Sequence, residues 1–404
     1  MEQERMRKNN KVGIITMYHD SYNFGGLLQA YALPTALKKY FDLDAEQIDY
    51  DMSPEKEDLE GNCNAKTYRM GYLIYRLGIL FFSKLEHSSI LKRKTAFDQF
   101  IDDIPHSNQT YHARTISECE DRYRICICGG DQIWSDYSVA APSANIEHFK
   151  AYSLQFAGSH TKKIAYAPSM AVLTMTDGYK KIMREGLSKL DAISVRERRS
   201  VPVLKQITDR EISVVADPVL LLTKVEWTQF ANAKNINGKY ILCYLLGDSI
   251  MQRIAVKKLA RKLQLPIVTF PHILGNVVRK CDLFFGDIRN YEGPREFLGL
   301  IENAEIIITD SFHACVFSMI FQTPFAVFER HKADEKGNMN SRIYDFLEEY
   351  HLEDQLVTVE ALAGMQEIPQ VDFTYAHTHW KQRRAESLQY LENALKENEN
   401  GAEP

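Results

Sequence analysis

Three polar segments of the sequence carry the side chains best suited to chemistry, and each follows a short apolar run. In the segment 19–29, the adjacent residues Gly25 and Gly26 allow a ligand to approach the backbone closely. Asn23 is a helix-capping residue type, and Gln29 lies one turn into the helix that follows. Because a free helix N-terminus favours a bound anion, this segment predicts a ligand-binding loop. An ordinary capped loop is the alternative.

The second segment runs from Gly129 to Ser135 and leaves its strand through two glycines. Asp131 can accept a hydrogen bond or a proton, and Gln132 can both donate and accept. Trp134 offers an aromatic face of the kind that stacks on a sugar or a base. The alternative is that Asp131 is only a turn or cap residue. We favour a role in binding or catalysis.

The third segment begins where the apolar run Glu305–Thr309 ends. Asp310 and Ser311 are helix-capping residue types, and Phe312 belongs to the apolar stripe of the following helix. His313 lies in the first turn but off that stripe, near the positive end of the helix dipole. The dipole would stabilise an anion there, and the imidazole could hold or protonate it. A solvated or capping histidine is the alternative.

Arginines near the predicted strand ends add positive charge. Arg196 follows the predicted strand Ala192–Val195, and Arg342 stands directly before a helix. Guanidinium groups suit carboxylates and phosphates because their donors form a planar fork. The sequence has no Walker loop, HExxH, GxSxG or paired CxxC motif, and it predicts no metal site.

Short apolar runs alternate with amphipathic helical patterns, which predicts an α/β fold with parallel sheets. The 404 residues suit two domains. We expect a first Rossmann-like domain over 1–225, with a helical insertion at about 52–112, and a second over 226–372. A long charged helix within 373–404 is expected to pack back on the first domain. Ligands of parallel sheets bind at the carboxyl ends of strands, where the three polar segments fall.

The bulk composition excludes some classes of function. The formal net charge is −5, so the chain lacks the surplus of basic residues that is typical of nucleic-acid-binding proteins. No stretch reaches the roughly 18–20 apolar residues of a membrane span, and the polar N-terminus lacks a signal-peptide core, so we expect a cytoplasmic protein.

The apolar run Gly71–Phe82, with basic residues up to position 94, is interpreted as a helix packed on the domain. The alternative is an interfacial helix at the inner face of the membrane, beside a lipid-linked substrate.

Taken together, the motifs resemble those of the polysaccharide pyruvyl transferase family. The matching pieces occur in family order between Lys11 and Leu352. They are Tyr22-Asn23-Phe24-Gly25-Gly26, Leu28-Gln29-Ala30-Tyr31-Ala32, Gly130-Asp131-Gln132-Ile133-Trp134, Ser194-Val195-Arg196-Glu197, Asp217-Pro218, Thr309-Asp310-Ser311-Phe312-His313 and Asn340-Ser341-Arg342-Ile343.

This resemblance implies a GT-B-like arrangement of two Rossmann-like domains facing a cleft, the first on the acceptor side and the second on the donor side. It implies pyruvyl transfer from phosphoenolpyruvate, as co-substrate and with no further cofactor, to two hydroxyls of a sugar. That sugar would belong to a surface polysaccharide or its lipid-linked precursor. By resemblance, His313 is an acid/base and Arg196 holds the donor. Well-studied members carry Arg-Leu where this chain has Ser311 and Phe312, so Arg342 or Arg330 would supply the missing cation.

The predicted catalytic residues are therefore His313 and, as a base, Asp131. The predicted donor-binding residues are Arg196, Asp310, Ser311, Phe312 and Arg342. The predicted acceptor-binding residues are Asn23, Gly25, Gly26, Gln29, Gln132 and Trp134. Two other functions remain open on this frame: a glycosyltransferase that uses a nucleotide-sugar, and a non-catalytic polysaccharide-assembly protein.

Overall fold

The computed structural model describes residues 11–19, 21–52, 87–120, 122–136, 142–171, 173–232, 236, 238–274, 277–330 and 340–396. These residues form two parallel-sheet α/β domains, and a long C-terminal helix returns to the first domain. The predicted GT-B-like fold class is confirmed.

The first domain is built on a parallel sheet that has seven strands in the described part of the chain. They are Val12–Ile15 (β1), Ala45–Tyr50 (β2), His106–Tyr111 (β3), Ile125–Gly129 (β4), Lys162–Tyr166 (β5), Ala192–Val195 (β6) and Ser213–Val214 (β7). Their order is β3-β2-β1-β4-β5-β6-β7. All five residues of β4 are buried, as expected for a central strand covered on both faces.

The helices of this domain are Phe24–Phe41 (α1), residues 87–102 (α2), Pro142–Tyr152 (α3), Asp177–Ser188 (α4), Ser200–Leu204 (α5) and Lys224–Phe230 (α6). Asn23 caps α1, because its Oδ1 accepts hydrogen bonds from the Gly25 and Gly26 amides at 3.0 and 3.4 Å. Two lysines in the last turn complement the helix dipole. The cap fixes the start of α1 at the carboxyl edge of the sheet.

One prediction for the first domain is wrong. Residues 52–112 are not wholly a helical insertion, because β3 pairs with β2 as the edge strand of the sheet. Its sequence, His-Ser-Asn-Gln-Thr-Tyr, is polar because three of its side chains are exposed, which is common at sheet edges. The run Pro218–Leu221, although apolar, is a 3₁₀ helix capped by the Asp217 side chain.

The second domain has a five-stranded parallel sheet in the described residues. Its strands are Ile241–Tyr244 (β8), Ile267–Thr269 (β9), Ile288–Arg289 (β12), Ile306–Thr309 (β13) and Phe325–Val327 (β14), with a hairpin of Ile273–Leu274 (β10) and Val277–Val278 (β11) beside it. The sheet order is β12-β9-β8-β13-β14. The helices are Ile250–Leu263 (α7), Pro294–Glu302 (α8), Phe312–Phe321 (α9), Ser341–Tyr350 (α10) and Val359–Gly364 (α11).

Helix α2 joins the two domains. Its Arg93 is buried against the second domain and donates to the carbonyl oxygens of Pro271 and Asn290. Phe24 of α1 enters the same region and stacks on Phe297 at a ring-centroid distance of 4.4 Å. The two domains therefore share one continuous core.

The membrane-contact prediction for residues 71–94 falls largely outside the described residues, including the whole run Gly71–Phe82. In the described part, Arg93 is buried between the domains and Lys92 pairs with Glu292 of the second domain at 2.6 Å. Arg93 is therefore not a membrane-facing cation. None of the helices in the described ranges is both long and apolar enough to cross a membrane.

The C-terminal helix Thr374–Leu395 (α12) packs on the first domain. Trp380 Nε1 donates to the Leu220 carbonyl at 2.8 Å, and the Tyr390 hydroxyl donates to Ala165 O at 2.9 Å. The buried Ser387 Oγ accepts from the Ala216 amide at 2.9 Å. These bonds fasten the helix along β5 and the segment after β7.

Candidate active site

His313 lies at the boundary of the two domains because α9 begins directly after β13, at the carboxyl edge of the second sheet. Its imidazole is nearly buried and packs on the start of α1 in the first domain. A Cβ on Gly25 would lie only 2.1 Å from His313 Nδ1, so a glycine is required for this contact. Gly25 of the predicted glycine pair thus serves close packing of the histidine.

Asp217 faces the other side of the imidazole. Its Oδ2 lies 3.5 Å from His313 Nε2, which is close enough for charge attraction but long for a hydrogen bond. Burial alone would raise the pKa of Asp217, but the charges of His313 and Arg196 lower it. The carboxylate therefore stays ionised at neutral pH.

Arg196 holds this carboxylate in place. Its Nη1 donates to Asp217 Oδ2 at 2.7 Å, and its Nε donates to Glu197 Oε1 at 3.0 Å. The guanidinium also lies over the Phe312 ring, 4.5 Å from its centroid. The buried guanidinium therefore contacts two carboxylates and an aromatic ring. This arrangement makes Arg196 a positioning residue for Asp217 and His313, instead of the predicted donor ligand.

Asp131 is the second predicted catalytic residue, and the structure brings it to the same glycine pair. A Cβ on Gly26 would lie 3.2 Å from Asp131 Oδ2. The other oxygen, Oδ1, accepts the amide of Gln132 at 2.8 Å. His313 and Asp131 therefore contact consecutive residues of α1, one from each domain.

The donor-side residues fall into two groups. The Asp310 carboxylate accepts the amides of Leu246 and Gly247, both at 2.7 Å, so it fixes the loop after β8. Phe312 is buried between Arg196 and Phe346, so its ring has a packing role. Neither side chain is oriented as a donor ligand.

Ser311 and Arg342 remain suitable for an anion. Ser311 is the N-cap of α9, but its side chain makes no capping hydrogen bond, so the first-turn amides require another partner. Burial, and then the charges of Arg196 and Arg330, lower the pKa of Arg342 to about 10. An anionic ligand here would offset the repulsion among these cations.

On the acceptor side, Gln29 is buried and its Nε2 donates to Thr16 Oγ1 and to the Gly26 carbonyl at 3.0 and 2.9 Å. It therefore braces the loop after β1. Asn23 is exposed but is engaged in capping α1. Gln132 is partly exposed and lines a small pocket with Met17, Met52 and His148.

The prediction that Trp134 stacks on a sugar is wrong for this structure. The side chain is fully buried, and its Nε1 donates to the Tyr152 carbonyl at 3.2 Å. The ring belongs to the core under α3 and α4. An aromatic residue that follows a strand can turn towards the ligand or back into the core, and here the available carbonyl lies in the core.

Sequence reasoning missed the roles of Asp217 and Glu197. Asp217-Pro218 was recognised only as a family motif, and Glu197 only as the neighbour of Arg196. A signal existed in the acidic residue that follows β7, because all parallel strands of the sheet end at the same edge. Its partner, His313, lies in the other domain, which no local pattern reveals.

The geometry supports acid–base chemistry on an anionic substrate. An ionised Asp217 lies next to a histidine, and Asp131 lies against the neighbouring residue of α1. Free helix amides with Arg342 offer sites for negative charge. Within the described residues, no group of three or more His, Cys, Asp or Glu side chains is arranged to hold a metal ion. The fold and this site define a GT-B-like enzyme.

The comparison with known proteins identifies the enzyme family. The chain belongs to the polysaccharide pyruvyl transferase family, whose pattern matches residues 23–332. It is therefore an enzyme of polysaccharide biosynthesis, with a sugar or polysaccharide as acceptor. No curated protein matches the sequence significantly.

Solved structures with a similar fold have low sequence identity. UDP-GlcNAc 2-epimerase from Neisseria meningitidis is 13% identical, with 94% of this chain and 99% of that chain covered and a TM-score of 0.46. The enzyme of the same name from Methanocaldococcus jannaschii is 12% identical, with 94% and 99% covered and a TM-score of 0.45. The wall teichoic acid polymerase TagF is 11% identical, with 96% and 84% covered and a TM-score of 0.43. At this level of similarity they say nothing about the reaction.

Proposed function

We propose that this enzyme transfers the pyruvyl group of phosphoenolpyruvate to two hydroxyls of a sugar, forming a cyclic ketal and releasing phosphate. The acceptor would be a surface polysaccharide or its lipid-linked precursor. The observation that carries the proposal is the position of His313, which is held between Gly25 and the ionised Asp217 at the first turn of α9. Family membership supports the same reaction.

The chemistry requires a proton at C3 of phosphoenolpyruvate, which makes C2 electrophilic. His313 would supply this proton as a general acid, with the Asp217 carboxylate 3.5 Å from its Nε2 helping to hold the ring in place. The two sugar oxygens then form bonds to C2, and the bond from C2 to the phosphate oxygen breaks. One proton equivalent from the two hydroxyls ends on C3, and the other leaves with phosphate.

The remaining groups have complementary roles in this proposal. The carboxylate and phosphate of the donor need cationic or helix-terminal partners, which Arg342, Arg330 and the first-turn amides of α9 can provide. Asp131 would accept a hydroxyl proton from the acceptor, which approaches from the first domain. Phosphoenolpyruvate is a co-substrate in this scheme, and no other cofactor is required.

The decisive experiment incubates the purified enzyme with phosphoenolpyruvate and a panel of nitrophenyl and lipid-linked sugars. Phosphate release is measured, and mass spectrometry detects the ketal on the sugar. We expect His313→Ala to fold but to lose turnover by about 100-fold or more, since a positioned acid contributes 10²–10⁴-fold. His160→Ala is a matched control, because His160 is exposed on the first domain.

A parallel arm offers nucleotide-sugars in place of phosphoenolpyruvate. Sugar transfer from a nucleotide-sugar without any ketal product would contradict the proposal and favour a glycosyltransferase. Full retained turnover in His313→Ala would remove the histidine from the mechanism. Complex formation with polysaccharide that tolerates loss of both His313 and Asp131, with no turnover in the parent protein, would indicate an assembly role.

A further inference from the structure

The charges of four arginines act on one histidine, His272, at the carboxyl edge of the second sheet. The His272 carbonyl accepts the Arg279 amide at 2.8 Å, so these two residues are in contact. His272 follows β9, and burial together with the charges of Arg279, Arg330, Arg93 and Arg253 lowers its pKa to about 4. The ring is therefore uncharged at neutral pH. These guanidinium groups come from α2, α7, the β10–β11 hairpin and the end of β14, so the fold concentrates positive charge at this edge.

Two of the four arginines have structural partners. Arg253 forms a buried ion pair with Asp282, with 2.7 Å between Nη2 and Oδ1. Arg93 donates to two backbone carbonyls at the domain boundary. These two side chains are therefore committed to the fold.

The other two arginines, Arg279 and Arg330, make fewer contacts that offset their charge. Arg279 Nη1 donates to the Leu246 carbonyl, and in the described residues the side chain has no ion pair. Arg330 Nη2 donates to the Asp310 carbonyl at 2.8 Å, while its buried Nε has no hydrogen-bond partner in the described residues. Among the described residues, Arg330 Nη2 lies 3.8 Å from Asp310 Oδ1, and this carboxylate already accepts two amides. The charge of this pair of arginines is therefore only partly offset.

The loop after β8 brings the two arginines together. Arg279 contacts its Leu246, and a Cβ on Gly247 would lie 3.6 Å from Arg330 Cγ and 2.9 Å from Asp310 Oδ2. Because Asp310 directly precedes Ser311, this loop is adjacent to the start of α9. The charged edge is thus continuous with the site that holds His313.

We propose that Arg279, Arg330 and His272 form a phosphoryl-binding subsite that takes the phosphate of the donor. The inference rests on the proposed function, and it identifies the cations that replace the arginine expected at the position of Ser311. A guanidinium pair suits a phosphate dianion because each fork can donate two hydrogen bonds. The neutral imidazole adds one more donor.

The test measures ligand binding by titration calorimetry with inorganic phosphate, phosphoenolpyruvate, pyruvate and UDP. We expect Arg279→Gln and Arg330→Gln to weaken phosphate and phosphoenolpyruvate binding by about tenfold or more each, since hydrogen bonds between charged groups are lost. Pyruvate, which lacks the phosphate, should bind all variants alike. Arg261→Gln is the matched control, because Arg261 is an exposed arginine on α7 of the same domain.

Melting temperatures without ligand show whether each variant is folded, and Arg279→Lys, which keeps the charge, is expected to retain most of the binding. Unchanged phosphate and phosphoenolpyruvate affinity in both glutamine variants would overturn the subsite. So would a parent protein that binds none of the phosphate-bearing compounds.

The two proposals fail separately. A parent protein that binds phosphate or UDP through Arg279, but does not bind or turn over phosphoenolpyruvate, would keep the subsite and reject the proposed donor. Ketal formation with an unchanged KM for phosphoenolpyruvate in the glutamine variants would keep the function and reject the subsite.

Discussion

Replacement of Gly25 by alanine should disable the enzyme through His313. The added Cβ would lie 2.1 Å from His313 Nδ1 and 2.3 Å from Cγ, so the ring must move by about 1.3 Å or more to regain ordinary contact at 3.4–4 Å. A displacement of about 1 Å in a catalytic group can cost about 100-fold in rate. We therefore expect phosphate release to fall by about that factor.

The effect on stability has two opposing parts. Glycine within a helix costs about 0.5–1 kcal/mol relative to alanine, so α1 itself would gain from the change. Overpacking a filled contact costs about 1–3 kcal/mol. Because the overlap is with a buried ring and with His313 Cβ at 2.8 Å, we expect a net loss of about 1 kcal/mol.

Chemical denaturation and phosphate-release assays measure the two effects. The matched control is Gly178→Ala in α4, where a Cβ would meet nothing within 4 Å, so it should gain stability and keep turnover. In the double variant Gly25→Ala with His313→Ala, most of the overlap disappears and the stability loss should shrink. Wild-type turnover and stability in Gly25→Ala would refute the contact.

Three further outcomes are expected. Asp217→Asn should lower the free energy of unfolding by about 3 kcal/mol at pH 7, because it breaks a buried charge cluster, and should lower turnover at least as much as displacement of His313 does. Folding lowers the pKa of Asp217, so the ionised carboxylate stabilises the folded protein above about pH 4, and this stabilisation is lost as the pH falls. The free energies of unfolding of the parent and of Asp217→Asn, measured by denaturation, should therefore converge in acid. Trp134→Phe should cost about 1 kcal/mol through the lost bond to Tyr152 O, with no change in KM for the acceptor. Arg93→Met should destabilise the protein measurably in denaturant, because two buried carbonyls lose their donor.

Each of these has a clear contrary result. A higher acceptor KM in Trp134→Phe would restore the stacking role. A constant stability difference between Asp217→Asn and the parent at all pH values would show that the carboxylate is not the source of the pH dependence. Full stability of Arg93→Met would mean that α2 does not hold the domains together.

The positions of most strands along the chain could be predicted from the sequence, because buried parallel strands are nearly continuous apolar runs. Ile306–Thr309 and Ile125–Gly129 are entirely buried, and each ends in a polar segment that reaches the domain boundary. His313 was predictable for the same reason, since it interrupts the pattern of an otherwise apolar helix at its first turn. Family motifs added the connection between distant segments.

Other features depend on tertiary contacts that no local pattern encodes. β3 is polar because it lies at a sheet edge, so it lacks the apolar signal of its neighbours. Trp134 turns into the core because a carbonyl on α3 is available there. Arg196 resembles an anion ligand until its two carboxylates are placed around it.

The position of Phe24 limits how the enzyme can admit its substrates. Its ring is stacked within an aromatic group of the opposite domain, and Arg93 is bonded to that domain's backbone nearby. Wide separation of the two sheets would hydrate Phe24, at a cost of about 1.5–3 kcal/mol for this side chain alone. Rearrangement of the surface loops around the strand ends would leave this contact buried. We therefore expect substrate and product to enter and leave through movements of the surface loops. The contact between the two domains should persist throughout the catalytic cycle.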